Sequence, residues 1–277
     1  MRGALLFGGL SRLGSRSVGG VRPVSGGGAG PDQILEAGDH RAWTAESPVR
    51  LRLTETGERE DGDQIIDSDL NTEHPGPQSM DPISVPSLLR QVTERLPDQP
   101  ALRTRDSMGQ PRDWTYAQYH EDISTVARAF ISLGLQPFHT VSVLGYPSPC
   151  QHIANMASVT AGGFIGGMYQ TNTEEACQYI AEDSRANIIV VSDMVQLNKI
   201  LAIRSKLPDL RAIVLYDDFE NPPTLPGVFT WNQIMEIGSD QSSDPLNERL
   251  KNIAVNQCAV LGYTSGFENI TTFCVCQ

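Results

Sequence analysis

The sequence predicts an α/β protein: an incomplete doubly wound, mostly parallel sheet that follows a disordered N-terminal leader. Short apolar runs rich in β-branched residues alternate with amphipathic segments from about residue 140 onward, which is typical of βαβ units. Hydrophobic residues make up 39% of the 277-residue chain, enough for a globular core. The run Gly26-Gly27-Gly28-Ala29-Gly30-Pro31 cannot build such a core, so it is assigned to the leader.

The first 80 residues divide into two parts. Residues 1–40 are the predicted leader, and residues 1–30 carry four arginines and no acidic residue. A mitochondrial targeting segment is one interpretation of this pattern, and a glycine-rich leader without a targeting signal is the other. Residues 41–80 contain the alternating run Val49–Leu53, which predicts a short strand, followed by an acidic, turn-rich linker from Glu55 to Pro77.

The ordered domain, predicted to span residues 81–266, begins with a helix. Ser84 is a suitable N-cap, Pro86 fits the first turn, and Pro97 ends the helix. The apolar residues expected on one face of this helix are Val85, Leu88, Leu89, Val92 and Leu96.

Two short paired strands and a second helix come next. Ala101–Thr104 and Trp114–Tyr116 are predicted to pair around a turn at Gly109. The second helix ends at Gly134, and the residues of its apolar stripe are Ile123, Val126, Ala127 and Phe130.

Strands and helices then alternate to the end of the domain. The predicted helices include Glu174–Asp183 and Val195–Leu207. The uncharged stretch from Cys150 to Thr173 is too rich in small polar residues for a membrane span, and we expect a buried helix, a turn and a strand there. The predicted strands are Val141–Gly145, Phe164–Tyr169, Ile188–Val191, Ile213–Tyr216 and Ala259–Tyr263.

Charge and cysteine content limit the partners of the protein. A formal net charge of -12 argues against nucleic acid or an anionic membrane as an electrostatic partner. The five cysteines are few, odd in number and mostly apolar in context, so we expect reduced thiols in the cytoplasm. No second ligand pair accompanies Cys274-Val275-Cys276, so no metal site is predicted.

The order of features resembles the adenylate-forming (AMP-binding) superfamily, and within it the bubblegum-type long-chain acyl-CoA synthetases. The resemblance covers residues 41–266, and the Glu175–Ile180 segment points to the bubblegum group. The segments that carry it are Trp43-Thr44, Val49-Arg50-Leu51-Arg52-Leu53, Trp114-Thr115-Tyr116, Ala127-Arg128-Ala129-Phe130, Leu133-Gly134-Leu135, Ser142-Val143-Leu144-Gly145-Tyr146, Ser148-Pro149, Glu175-Ala176-Cys177-Gln178-Tyr179-Ile180-Ala181 and the stretch from Asn256 to Gly266.

This resemblance implies a fatty acid–CoA ligase. Such enzymes activate a long-chain fatty acid with ATP and Mg²⁺ to an acyl-adenylate, and then transfer the acyl group to coenzyme A. Family members bind the triphosphate with a Thr-Ser-Gly-Thr-Thr-Gly-x-Pro-Lys-Gly loop. This chain matches the loop at Thr264, Ser265 and Gly266, which are therefore the expected remnant of an ATP phosphate site.

The match stops after Gly266. Phe267 and Glu268 stand where the family has hydroxyl residues, and residues 267–277, a divergent tail, contain no lysine. The resemblance implies ATP, Mg²⁺ and coenzyme A as cofactors, but we expect a truncated form that binds none of them productively, is inactive alone and has no catalytic residue of its own.

Two alternatives remain open at the level of sequence. The first is a non-catalytic module that binds the full-length enzyme, another partner or a second copy of itself through an open sheet edge after Tyr263. The second is a product without a stable role. A cytoplasmic location is expected, with peripheral membrane association or a mitochondrial location as alternatives.

Overall fold

A computed structural model describes residues 83–105, 109–217, 223–254, 257–265 and 270–276, with the backbone alone from residue 264 onward. The predicted leader (1–40) and the strand and linker region (41–80) lie outside these residues. The described helices are α1 (Val85–Arg95), α2 (Tyr116–Ser132), α3 (Pro149–Thr160), α4 (Glu174–Asp183), α5 (Met194–Ile203), α6 (Trp231–Ser239) and α7 (Asp244–Lys251). The strands are β1 (Pro100–Arg105), β2 (Pro111–Thr115), β3 (Thr140–Leu144), β4 (Phe164–Met168), β5 (Ala186–Val191), β6 (Ala212–Leu215), β7 (Val228–Thr230), β8 (Cys258–Ser265) and β9 (Ile270–Cys276).

Local sequence signals account for where the helices begin. The hydroxyl of Ser84 accepts a hydrogen bond from the N–H of Ser87 at the start of α1, as predicted. Thr115 forms a reciprocal capping box with Gln118 at the start of α2. Each cap satisfies backbone N–H groups that have no partner inside the helix, which fixes the first residue of the helix.

The main sheet has seven strands in the order β7-β6-β5-β3-β4-β8-β9. Strands β3 to β8 pair in parallel throughout, which confirms the predicted doubly wound parallel sheet. The antiparallel hairpin of β1 and β2 forms a separate two-stranded sheet around Gly109. The prediction of Ala101–Thr104 and Trp114–Tyr116 as a pair is confirmed, except that Tyr116 already belongs to α2.

The expectation of an open edge beside Tyr263 is wrong. Strand β9 pairs antiparallel with β8 along its length, with Tyr263 opposite Thr272 and Cys258 opposite Cys276. The tail assigned to residues 267–277 therefore includes a strand. The β-branched and aromatic residues of β9 suit the pleated surface of a sheet. The backbone of β8 supplies the N–H and C=O groups with which β9 pairs.

The sheet separates two apolar layers. Alternate residues of β5 point to opposite faces, so that Ile189 packs against α4 and α5 while Ile188 packs in the layer that contains α2, α3, α6 and α7. Ile188, Ile213 and Leu261 are each at most 1% exposed. Helices on both faces of the sheet therefore bury strands β5, β6 and β8.

Two smaller expectations also need correction. Leu88 and Leu96, predicted on the apolar face of α1, are 42% and 39% exposed in the described structure. Cys150 and Cys177 are reduced thiols, as expected, but Cys258 is disulfide-bonded. None of the described helices has the length and apolarity needed to cross a membrane.

Candidate functional site at the carboxyl edge of the sheet

The parallel strands of the main sheet all end at one edge. The residues that follow β3, β5 and β6 there are Gly145, Ser192 and Tyr216, and β8 brings Thr264 and Ser265 to the same edge. In open α/β sheets, ligands bind outside the carboxyl ends of the strands. This edge is therefore the candidate functional site.

The chain reverses its winding between β3 and β5. Helix α3 leads from β3 to β4 on one side, whereas α5 leads from β5 to β6 on the other. The crevice at this switch is tightly packed: a Cβ at Gly145 would collide with the hydroxyl of Tyr216 and lie 2.7 Å from Cβ of Ser192. The Tyr216 hydroxyl donates to the carbonyl of Tyr146 at 2.7 Å, and burial raises the pKa of Tyr216 to about 12.

An acidic side chain occupies the β5 side of the edge. Burial opposes ionisation of Asp193, but hydrogen bonds from the Ser192 hydroxyl and from the N–H groups of Gln196 and Val195 together lower its pKa. The bond from Ser192 is 2.6 Å long. Asp193 is thus a carboxylate at neutral pH, and it disfavours an anionic group beside β5.

A cation of α5 holds the loop that follows β4. The Lys199 ammonium donates to the backbone carbonyls of Gln170 at 2.6 Å and Asn172 at 3.1 Å. The side-chain oxygen of Asn172 accepts from the N–H of Tyr169 at 2.8 Å. These bonds hold the loop after β4 in one conformation. Because β4 is the neighbour of β8, the loop lies beside the end of β8.

The predicted site residues are placed in part. Thr264 and Ser265 are the last residues of β8, opposite Thr271 and Ile270 of β9. Gly266, Phe267 and Glu268 lie outside the described residues, so their predicted role stays a prediction.

The residues present fit a phosphate in part. Threonine and serine hydroxyls and a glycine backbone are donors of the kind that hold phosphate oxygens. Glu268, by contrast, would add a negative charge to that group. Within the described ranges there is no cluster of three or more His, Cys, Asp or Glu side chains that could hold a metal.

Sequence reasoning missed Ser192, Asp193, Lys199 and Tyr216. Asp193 follows β5 directly and caps α5, so its place after an apolar run was an available signal. The contacts of Tyr216 and Lys199 join residues 70 and 29 or 27 positions apart. No local pattern could have indicated them.

Sequence comparison finds curated relatives among fatty acid ligases. The chain is 36% identical over 234 residues to the long-chain-fatty-acid–CoA ligase ACSBG2 of Xenopus laevis, covering 84% of this chain and 29% of that protein. It is 41% identical over 153 residues to human ACSBG1, also a long-chain-fatty-acid–CoA ligase, covering 55% of this chain and 21% of that protein. The chain thus spans less than a third of the length of these bubblegum-type relatives.

Structural comparison supports the same fold. The anthranilate CoA ligase AuaEII, solved in complex with anthranoyl-AMP, is similar with a TM-score of 0.57 and 20% identity over 70% of this chain and 35% of that chain. A carboxylic acid reductase didomain from Segniliparus rugosus, solved with AMP, gives a TM-score of 0.57 at 12% identity over 72% of this chain and 32% of that chain. The sequence pattern of the family described as AMP-binding enzyme matches residues 89–267. The chain therefore belongs to the AMP-binding enzyme family.

Proposed function

We propose that the chain provides the first sheet domain of an ATP-dependent long-chain fatty acid–CoA ligase. The observation that carries this proposal is the 36% identity over 234 residues to a ligase of that name. In the proposed reaction a fatty acid carboxylate attacks the α-phosphate of ATP, which releases pyrophosphate and forms an acyl-adenylate. The thiol of coenzyme A then displaces AMP to give the acyl-CoA.

In this proposal the end of β8 contributes to triphosphate binding. Thr264 and Ser265 supply hydroxyl and backbone donors, and Lys199 holds the neighbouring loop after β4 in place through Gln170 and Asn172. Magnesium would neutralise part of the triphosphate charge. The ionised Asp193 favours placing the phosphates on the β4–β8 side of the edge rather than beside β5.

We further propose that residues 1–277 alone do not form an acyl-adenylate. Residues 267–277 contain no lysine to balance the triphosphate charge, and Glu268 adds a negative charge near it. Phosphate stabilisation depends on several donors and cations held together. Thr264, Ser265 and Gly266 by themselves supply donors without the cation.

The test measures pyrophosphate exchange and ATP binding. We expect the purified chain to show no fatty-acid-dependent exchange of pyrophosphate into ATP. Glu268→Gln should tighten MgATP binding about fivefold, since removing one charge near a phosphate is worth about 1 kcal/mol in a water-exposed setting. Glu236→Gln is the matched control, because Glu236 is an exposed residue of α6, and it should leave the affinity unchanged.

Two results would contradict this account. Robust exchange by the unaltered chain would show that the departure after Gly266 does not prevent adenylation. An equal effect of Glu268→Gln and Glu236→Gln on MgATP binding would remove Glu268 from the neighbourhood of the phosphates.

A second candidate function is that of a non-catalytic interaction module. The burial of strands β5, β6 and β8 on both faces favours it, because a self-sufficient core can persist without further domains. The outermost strands β7 and β9 would be the surfaces for pairing with a partner or a second copy. We propose a cytoplasmic location for either function.

A further inference from the structure

A buried tyrosine directly precedes the hydroxyl residues at the end of β8. Tyr263 is 5% exposed, and Thr264 and Ser265 complete the strand after it. A tyrosine hydroxyl that is buried needs a hydrogen-bond partner. The Tyr263 hydroxyl donates to Oδ2 of Asp183, the last residue of α4, at 2.9 Å. One hydrogen bond therefore joins the end of β8 to the end of α4.

The position of Asp183 is unfavourable for the helix that carries it. A carboxylate at the C-terminus of a helix meets the negative end of the helix dipole, and the last turn of α4 contains no basic residue to offset it. Among the described residues, Asp183 belongs to no ion pair. A residue that conflicts with its own element is expected where another requirement outweighs the local cost. The contact that Asp183 makes is the one with Tyr263.

Neighbouring side chains enclose this hydrogen bond. Tyr179 lies one turn before Asp183 on α4, and its ring meets the Tyr263 ring edge to face with centroids 6.4 Å apart. The Ser184 hydroxyl interacts with the Tyr263 hydroxyl and accepts from the hydroxyl of Thr140 in β3 at 2.9 Å. Burial, together with the charge of Asp183, raises the pKa of Tyr263. Its hydroxyl therefore keeps its proton and remains a donor at neutral pH.

We propose that Asp183 and Tyr263 are positioning residues for the triphosphate: their hydrogen bond fixes the end of β8 and so aligns the donors of Thr264 and Ser265. The inference rests on the proposed function, which takes the end of β8 as a phosphate site. Neither Asp183 nor Tyr263 needs to touch the nucleotide, because their effect passes through the backbone of the two residues after Tyr263. Alignment matters there because a hydrogen bond weakens steeply when its donor is tilted away from the acceptor.

The experiment titrates the full 277-residue chain with MgATP by calorimetry. Tyr263→Phe keeps the ring and its packing and removes only the hydroxyl, so the variant should remain folded. We expect it to weaken MgATP binding about fivefold, which corresponds to the loss of one well-aligned hydrogen bond.

The matched control removes a buried hydrogen bond elsewhere in the same sheet. The Ser158 hydroxyl donates to the carbonyl of Phe164, the first residue of β4, at 2.6 Å. Ser158→Ala should lower the free energy of unfolding about as much as Tyr263→Phe does, but it should leave the affinity for MgATP unchanged. A merely structural role for Tyr263 would make the two variants alike in both measurements.

Two variants at position 183 separate the hydrogen-bond acceptor from the charge. Asp183→Asn and Asp183→Ala both remove the negative charge, but only asparagine keeps a side-chain oxygen that can accept from Tyr263. Asp183→Ala should weaken MgATP binding about fivefold, and Asp183→Asn should retain most of the affinity that the alanine variant loses. Equal affinities in these two variants would overturn the positioning role of the hydrogen bond.

Hydrogen exchange tests the alignment without a ligand. The amide protons of Thr264 and Ser265 should exchange faster in Tyr263→Phe and Asp183→Ala than in the unaltered chain, and at the unaltered rate in Ser158→Ala. Unchanged exchange in the first two variants overturns the inference. Unchanged affinity in Tyr263→Phe, in a chain that does bind MgATP, overturns the positioning role alone. If the unaltered chain binds no MgATP, the proposed triphosphate site fails and the positioning role fails with it.

Discussion

Close contacts of single residues determine the shape of the carboxyl edge. Gly145 has no room for a side chain, because Ser192 and the Tyr216 hydroxyl fill the space where its Cβ would be. The Tyr216 hydroxyl in turn donates to the carbonyl of Tyr146, so the end of β6 is tied to the loop after β3. These contacts close the crevice at the switch between β3 and β5.

Burial of Tyr216 predicts a loss of stability at alkaline pH. Its pKa is about 12 in the folded chain, against about 10 in an unfolded one. A group whose pKa is higher in the folded chain than in the unfolded chain contributes its full stabilisation of the fold below the unfolded pKa. That contribution is lost as the pH rises from about 10 to about 12. We expect Tyr216 to lower the free energy of unfolding by about 1.4 kcal/mol per pH unit in that window.

The measurement is urea unfolding at pH 9, 10 and 11. Tyr216→Phe cannot ionise, so the fall in its unfolding free energy with pH should be shallower than in the unaltered chain by that amount. Tyr169→Phe is the control, since Tyr169 is 65% exposed, and its slope should match the unaltered chain. Equal slopes for both variants would show that Tyr216 is not held in a buried, neutral state.

Helix packing depends on a close approach between α2 and α6. A Cβ at Gly238 of α6 would overlap the backbone carbonyl of Thr125 in α2. Arg128, one turn along α2 from Thr125, donates from Nε to the Gly238 carbonyl at 2.9 Å. The glycine therefore lets two backbones meet at a distance that any other residue would prevent.

Gly238→Ala should accordingly destabilise the chain. Because the obstacle is backbone rather than a flexible side chain, α6 must shift, and we expect a cost of about 1–3 kcal/mol. Gly167→Ala is the matched control: a Cβ there meets nothing within 4 Å, so its unfolding free energy should change little. Urea midpoints of the two variants provide the comparison, and an unchanged midpoint for Gly238→Ala would refute the close α2–α6 contact.

The elements differ in how well the sequence predicts them. Helix α4 was predicted with its observed bounds, Glu174–Asp183, because its cap and apolar stripe are local. Strand β9 was missed because it forms against β8, and pairing between strands is not a local signal. At the candidate site, the position of Thr264 and Ser265 at the end of β8 was predictable from the apolar run Ala259–Tyr263 that precedes them. The contacts of Lys199 and Tyr216 were not, because they arise only when distant segments meet.

At the scale of the whole molecule, one sheet joins two apolar cores. Leu197 of α5 belongs to the core on one face, and Ile234 of α6 belongs to the core on the other. Strand β5 contributes to both, through Ile189 and Ile188 respectively. Both cores are built on the same sheet, so unfolding the sheet from either face would expose the other core to water. The described part of the chain should therefore unfold as one cooperative unit.

This coupling gives the last prediction. Leu197→Ala and Ile234→Ala each remove a fully buried side chain and should cost about 2–5 kcal/mol. Because the cores share β5, each variant should shift the far-UV dichroism and the tryptophan fluorescence transitions together, by the same amount. Thr93→Ala, at a partly buried position of α1, should shift both transitions only slightly.

The unaltered chain provides a second check. Light scattering should show a monomer, and a fluorescence assay should show that this monomer binds no hydrophobic dye. If the two probes separate in either core variant, or if the unaltered chain binds dye and melts broadly, the sheet does not couple the cores. The interaction-module hypothesis would then lose the self-sufficient core on which it depends, whereas the ligase proposal, which rests on sequence identity, would still stand.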